Sequence, residues 1–326
     1  MNALVYSRFG EPADVLDVQT SDALPEPGAG EVRLRILRSP VHNHDLATIR
    51  GVYGYKPSLP ATAGSEVVGI VDAHGAGVST PAVGTRVCAL VPGAWAGYAL
   101  ANAQTVIPVP DAFSDDVAAQ LVAMPLSAVV LLQSLNVKEG DWIAQNAAGG
   151  AVGKILMKIA QAQGVNVINI VRRDDAAEEL RAYGARHVVS SSNDDWMTQV
   201  RALAPGGVAR IVDSIAGPQT MDLQRLLAPR GELIVFGGLS GQAIKLDPSV
   251  MISHEIVVRG YWMTSWMARA TYDERVAAIG AVFAGALAGE FPLAVGGVYP
   301  LLDFKAALKA AETPGRAGKI LFDPAA

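Results

Sequence analysis

One stretch restricts this chain more than any other: DWIAQNAAGGAVGKILMKIAQAQGVNVINIVRR, residues 141–173. Trp142, Ile143 and Ala144 form a short apolar run that breaks at Ala147-Ala148-Gly149-Gly150. Val152, Ile155, Leu156 and Ile159 then recur at helical spacing, and a second apolar run covers 165–171. Strand, tight turn, helix and strand in that order predict a βαβ unit and therefore a parallel sheet.

The turn spells Ala148-Gly149-Gly150-Ala151-Val152-Gly153, an AxGxxG form of the dinucleotide fingerprint with alanine in the first glycine's place. Gly149 to Gly153 are thus the candidate nucleotide-binding turn. Gly150 lets the backbone approach a pyrophosphate, and a helix beginning near Ala151 offers unpaired N–H groups and the positive end of its dipole. Gly153 allows helix and strand to pack closely. About nineteen residues beyond Gly153, where an NAD site places a carboxylate for the ribose hydroxyl, the chain reads Arg172-Arg173. Two guanidiniums attract a 2′-phosphate that a carboxylate would repel, so NADPH is expected over NADH. The plain alternative is a solvated charge pair ahead of Asp174-Asp175.

A length of 326 residues with 51% hydrophobic content predicts two domains with ample cores. The net charge of −5 argues against nucleic-acid or membrane-surface partners, which select basic patches. Cys88 is the only cysteine, which excludes an intrachain disulfide or a multi-cysteine zinc site and fits a reducing compartment. The N-terminal MNALVYSRFGEPADVL lacks the layout of a secretory signal, and no apolar run reaches eighteen residues, so a cytoplasmic protein is expected.

Before the fingerprint, residues 1–117 read as short strands cut by turn formers, with candidates at 31–37 (EVRLRIL), 65–73 and 86–90. Around Ala112 the texture changes: 113–135 carries a Ser114 helix cap, acidic residues in the first turn and then helical apolar spacing, and the domain boundary is placed there. Residues 118–262 are expected to form the doubly wound parallel-sheet domain, with further strands at 210–214, 232–237 and 255–262. Residues 263–326, with helices at 272–288 and 304–312 and a strand at 319–322, are expected to return to the first domain. The strand at 255–262 falls by order at a sheet edge, and the apolar, β-branched character of Glu255 to Tyr261 predicts a homodimer through that segment.

The stretches PGAGEVRLRIL, LPATAGSEVVGIVDAHGAGVSTPAVGTRV, AAGGAVG and LLAPRGELIVFGG together resemble the medium-chain dehydrogenase/reductase superfamily over essentially the whole chain. The resemblance implies an α/β protein with a GroES-like, β-rich catalytic domain, a Rossmann domain and hydride transfer in the cleft between them. Zinc-dependent alcohol dehydrogenases carry a cysteine where this chain has His42 and a histidine where it has Ser65, before Glu66. Serine is no substitute for imidazole as a ligand, and the four-cysteine zinc lobe is missing, so no metal is expected.

Among zinc-free branches the chain is most similar to mitochondrial-type 2-enoyl thioester reductases. Arg50-Gly-Val-Tyr-Gly54 resembles the segment bearing that branch's proton-donating tyrosine, which puts Tyr53 in that role. Arg259-Gly-Tyr-Trp-Met-Thr-Ser-Trp266 resembles its cofactor- and substrate-facing segment, which includes Trp262. The branch usually has Asn and Pro where His42 and Asn43 stand, and these two are candidates to hold the carboxamide, a ribose hydroxyl or the substrate oxygen. Ser127, the strand end Phe236-Gly237-Gly238 and Lys319 complete the candidate cofactor contacts.

The function expected is an NADPH-dependent, zinc-free reductase of activated C=C bonds acting on 2-enoyl thioesters. A tyrosine hydroxyl supplies the proton, and hydrogen-bond donors meet the developing enolate oxygen without a metal. The alternatives are an NADPH:quinone oxidoreductase and, from another class, a non-catalytic NADPH-binding sensor or structural protein.

Overall fold

The computed structural model describes residues 1–326, which divide into two compact units: Met1–Ala123 with Leu293–Ala326, and Met124–Pro292. No helix is long and apolar enough to cross a membrane.

The first unit is built around the strand Glu31–Pro40. Val32, Leu34 and Ile36 point into the core, while Arg33 and Arg35 point away from it. This strand pairs antiparallel with Glu66–His74, Tyr98–Asn102 and the C-terminal strand Lys319–Asp323. A smaller three-stranded sheet sets Asn2–Tyr6 between Leu16–Thr20 and Ala61–Thr62. Trp95 joins the layers: its ring meets Phe322 edge-on at 5.1 Å, and its indole N–H donates to the Pro40 carbonyl at 3.1 Å. Gly64, at φ +89°, lies so close beneath this ring that an added Cβ would sit 2.3 Å from it. The neighbouring Ser65 and Glu66 are thereby held in place.

The second unit contains six parallel strands in the order His187–Ser190, Asn166–Val171, Trp142–Gln145, Val208–Asp213, Leu227–Val235 and Val257–Gly260. Their order reverses direction at Trp142–Gln145, the strand that leads into the fingerprint turn. Ile168, Ile170, Ile211 and Leu233 face a core closed by Trp196, Val200 and Leu223. Val257–Gly260 is the terminal strand, as its sequence position predicted.

Two expectations are corrected. The helical spacing expected over 113–135 is interrupted, giving two helices, Asp115–Ala118 and Ala123–Leu135. The Glu66 carboxylate accepts from the Val122 and Ala123 N–H groups between them, and a continuous helix would orient those groups along its own axis. The domain limits at 117/118 and 262/263 also move. Gln120 donates to the Leu293 carbonyl within the first unit, so that unit runs to Ala123. Residues 263–292 stay with the parallel sheet: Ser127 contacts Met263 at 3.2 Å, and the Tyr183 hydroxyl donates to Glu290 O at 2.8 Å. Phe291 fills the space over Gly285, where an added Cβ would lie 2.4 Å from its ring. Only Leu293–Ala326 returns to the first unit.

Candidate active site

The nucleotide-binding features lie at the carboxyl ends of the parallel strands. The helix Ala151–Ala162 starts directly after Gly150, leaving the first N–H groups at Ala151, Val152 and Gly153 without intrahelical acceptors. Gly153 has no room for a side chain, since an added Cβ would lie 2.7 Å from the Ala148 carbonyl oxygen. At Gly149 the space around an added Cβ is open. The turn is therefore pressed onto its helix while its glycine tip stays exposed. This cradle fits a pyrophosphate.

Residues not singled out in the sequence lock that turn. The Gln145 amide, 2% exposed, donates to the Gly153 carbonyl at 2.8 Å and to Asn169 Oδ1 at 2.7 Å. Asp213, fully buried, accepts from Asn146 at 2.6 Å, from Thr220 at 2.7 Å and from the Ile215 and Ala216 N–H groups. A polar residue within each otherwise apolar strand was the available signal, because buried amides and carboxylates persist only when fully bonded.

Arg172 and Arg173, both exposed, differ in their commitments. Arg173, at the position before the helix Asp174–Ala182, pairs with Asp175 at 2.9 Å, whereas Arg172 makes no ion pair. Phe236 lies 6.3 Å from the Tyr261 ring, and Gly237 packs so closely on Ser214 O that an added Cβ would be 2.7 Å away. Gly238 has open space around it. Trp262, 41% exposed, caps the helix Met263–Arg269. The Tyr261 hydroxyl is buried without a hydrogen-bond partner. Ser127, a candidate cofactor contact, is 6% exposed and turned towards the Met263 sulfur.

In the first unit, folding brings together His42, His44, Tyr53, Ser65, Glu66 and Lys319. His42, 1% exposed, ends the extended chain before the helix Asn43–Ile49, and its N–H donates to Asp45 Oδ2 at 2.9 Å. Its Nε2 lies 2.6 Å from Glu66 Oε2, and Lys319 Nζ lies 3.3 Å from its Nδ1. An ammonium only donates, so Nδ1 is the acceptor and Nε2–H donates to the carboxylate. His44 stacks on His42 at 4.9 Å, bonds Ser65 Oγ through Nε2 at 2.7 Å, and meets the Tyr53 ring at 5.8 Å. Asn43 is exposed at the first helical position.

Burial raises Glu66 to about 7, opposed by its bonds from Ala123 and Val122. Burial also lowers His42 well below the usual imidazole range, with Lys319 adding to the effect. Lys319 itself is lowered to about 8, by burial first and then by Arg316.

This donor set does not fit a catalytic zinc. Both ring nitrogens of His42 are engaged, Ser65 is bonded to His44, and an ammonium occupies the neighbourhood that a dication would need. No group of three or more His, Cys, Asp or Glu side chains is arranged to hold a metal. His42, expected to contact cofactor or substrate, is instead saturated by Glu66 and Lys319.

Residues 151–280 match the family described as zinc-binding dehydrogenase, and residues 28–111 match the alcohol dehydrogenase GroES-like domain. The chain is 30% identical over 273 residues to a mitochondrial enoyl-[acyl-carrier-protein] reductase of Caenorhabditis elegans, covering 81% of this chain and 77% of the relative. It is also similar to a candidate NADPH:quinone reductase of Bacillus thuringiensis, with a TM-score of 0.92 and 29% identity over 99% of this chain and 98% of that one. A mycobacterial protein solved in complex with NADPH gives a TM-score of 0.88 and 30% identity over 99% and 100%. With a GroES-like unit, a parallel-sheet unit and these relatives, the chain belongs to the medium-chain dehydrogenase/reductase superfamily.

Proposed function

We propose that the protein is an NADPH-dependent, zinc-free reductase of activated C=C bonds, with 2-enoyl thioesters as its substrates. The observation that carries this reading is the polar cluster around His42, which fills the metal-ligand positions with an internally bonded set and has Tyr53 beside it. The enoyl-[acyl-carrier-protein] reductase relative supports the substrate class, and the NADPH complex of the mycobacterial relative supports the cofactor. Bound NADPH supplies hydride. The chain must then hold the nucleotide, donate to the oxygen that gains charge, and protonate the α-carbon.

Arg172 is the preferred ligand of the 2′-phosphate because its guanidinium is exposed and not committed to a carboxylate. Tyr53 is the proton donor, supported by its position against His44. An NADPH:quinone reductase remains the second reading, supported by the Bacillus thuringiensis relative. A quinone oxygen takes its proton from solvent after hydride arrives, so that reaction makes less demand on Tyr53. The protein is also proposed to be a homodimer through Val257–Gly260, an edge strand with Val257 48% exposed.

Three outcomes are expected. Arg172→Ala should raise the NADPH dissociation constant at least about tenfold, roughly 1.4 kcal/mol, and leave NADH nearly unchanged; Arg173→Ala should do less. Titration by fluorescence checks this, and equal losses for both cofactors would remove the assignment. Tyr53→Phe should lower kcat with an enoyl-CoA by about a hundredfold while sparing NADPH affinity and any quinone reduction. Unimpaired enoyl reduction in that variant would put the quinone reading first. Sedimentation at micromolar concentration should give a dimer that Val257→Lys weakens, and a monomeric wild type would contradict the edge-pairing proposal.

A further inference from the structure

Lys319 belongs to the last strand of the chain, yet it is placed by the end of the strand Glu31–Pro40. The Val41 N–H donates to the Ile320 carbonyl at 2.9 Å, and Leu321 and Phe322 pair with Pro40 and Ser39. This register brings the lysine ammonium to His42 Nδ1. The imidazole is itself fixed, because its Nε2–H is held by a Glu66 carboxylate whose other oxygen takes two backbone N–H groups. Of the three ammonium donors one is spent on His42, and Lys319 forms no ion pair or other hydrogen bond. Two donors of a partly buried cation are left for a ligand.

We infer that Lys319 is a further catalytic residue, whose ammonium provides the counter-charge for the oxyanion of the substrate, with His42 and Glu66 as its positioning residues. The inference rests on the reductase reading. As the β-carbon of an enoyl thioester receives hydride, its C–H bond forms and the C=C electron pair moves onto the carbonyl oxygen as an enolate. A Lys319 N–H donates a hydrogen bond to that oxygen without giving up its proton. The α-carbon then takes the Tyr53 proton, and the tyrosinate recovers one from solvent. A quinone reduced by hydride likewise leaves an oxyanion, so Lys319 serves either substrate, whereas Tyr53 serves the enoyl thioester.

The charge on Lys319 is finely balanced. Burial and Arg316 disfavour the ammonium, while Glu66 and Asp45 favour it, and the His42 ring beside it is held neutral, chiefly by its own burial. A cation whose ionisation lies at about 8 is present below that pH and lost above it. Turnover should therefore fall as pH rises through that region. Removing the Glu66 charge should move the fall to lower pH.

The test is kcat against pH, with an enoyl-CoA and with a quinone, for the wild type, Lys319→Met, Lys319→Arg and Glu66→Gln. We expect Lys319→Met to lose about thirtyfold or more in kcat with whichever substrate the wild type reduces, measured at saturating NADPH, and to lack the alkaline fall. Lys319→Arg should keep more activity than Lys319→Met and move the fall to higher pH, because guanidinium stays charged. Glu66→Gln should move it to lower pH. Wild-type kcat in Lys319→Met, or an alkaline fall unmoved in Lys319→Arg, overturns the inference. A carbon-13 methyl-lysine titration, in which the Lys319 signal is the one absent from the Met variant, reads the same charge without substrate. If every lysine resonance of the wild type titrates in the ordinary lysine range, the inference is overturned even if no variant folds. Wild-type turnover of quinones alone sinks the enoyl reading and leaves the Lys319 result standing.

Discussion

Glu66 is an ionisable carboxylate with no exposure, and the arrangement of the first unit answers to that burial. A buried carboxylate that loses its partners destabilises a protein by about 3–5 kcal/mol, so each of its bonds constrains the chain that supplies it. The helical segment breaks to present Val122 and Ala123 N–H groups. His42 is held in one tautomer, and the Ser39 hydroxyl bonds the Glu66 carbonyl at 2.8 Å. The returning C-terminal strand then contributes a cation to the same cluster. A carboxylate, a neutral imidazole and an ammonium in sequence form a self-consistent polar core, and the same contacts leave no vacant ligand set for zinc.

The second unit answers to a different constraint. Its strands must end at a surface where backbone N–H groups face an anion, and an irregular turn there needs internal bonds to hold its shape. Gln145 and Asn169 bond beneath the glycine turn, while Asp213 gathers the loop after its own strand. Both groups are buried, so the turn and the loop are held by bonds within the chain itself. Arg172 stands outside this framework and is exposed, which suits the 2′-phosphate role proposed for it.

Much of this was legible in the sequence because it was local. The helix over residues 304–312 is observed at Phe304–Glu312, and the fingerprint helix starts at Ala151, where glycine spacing and apolar periodicity agree. Pairings between distant segments were harder to read. Nothing local to Lys319 indicates His42 as its neighbour, since strand register brings them together across the length of the chain. The break at residues 119–122 was hidden for the same reason, because its cause is a carboxylate on another strand. Residues 263–292 read as a tail because helices carry no label of the sheet they pack on, and their attachment depends on single contacts such as Tyr183 to Glu290. The unequal roles of Arg172 and Arg173 came from one ion pair to Asp175 that adjacency alone leaves undecided.

The central claim is that this chain reduces an activated C=C bond with NADPH and without a metal. Its most direct test is the consumption of NADPH by the purified protein with an enoyl-CoA, in the presence of a strong chelator, with the saturated thioester identified by mass spectrometry. The account predicts one saturated product per NADPH consumed, at a rate the chelator does not change. NADPH consumption that the chelator abolishes, or none at all with enoyl thioesters, would contradict it.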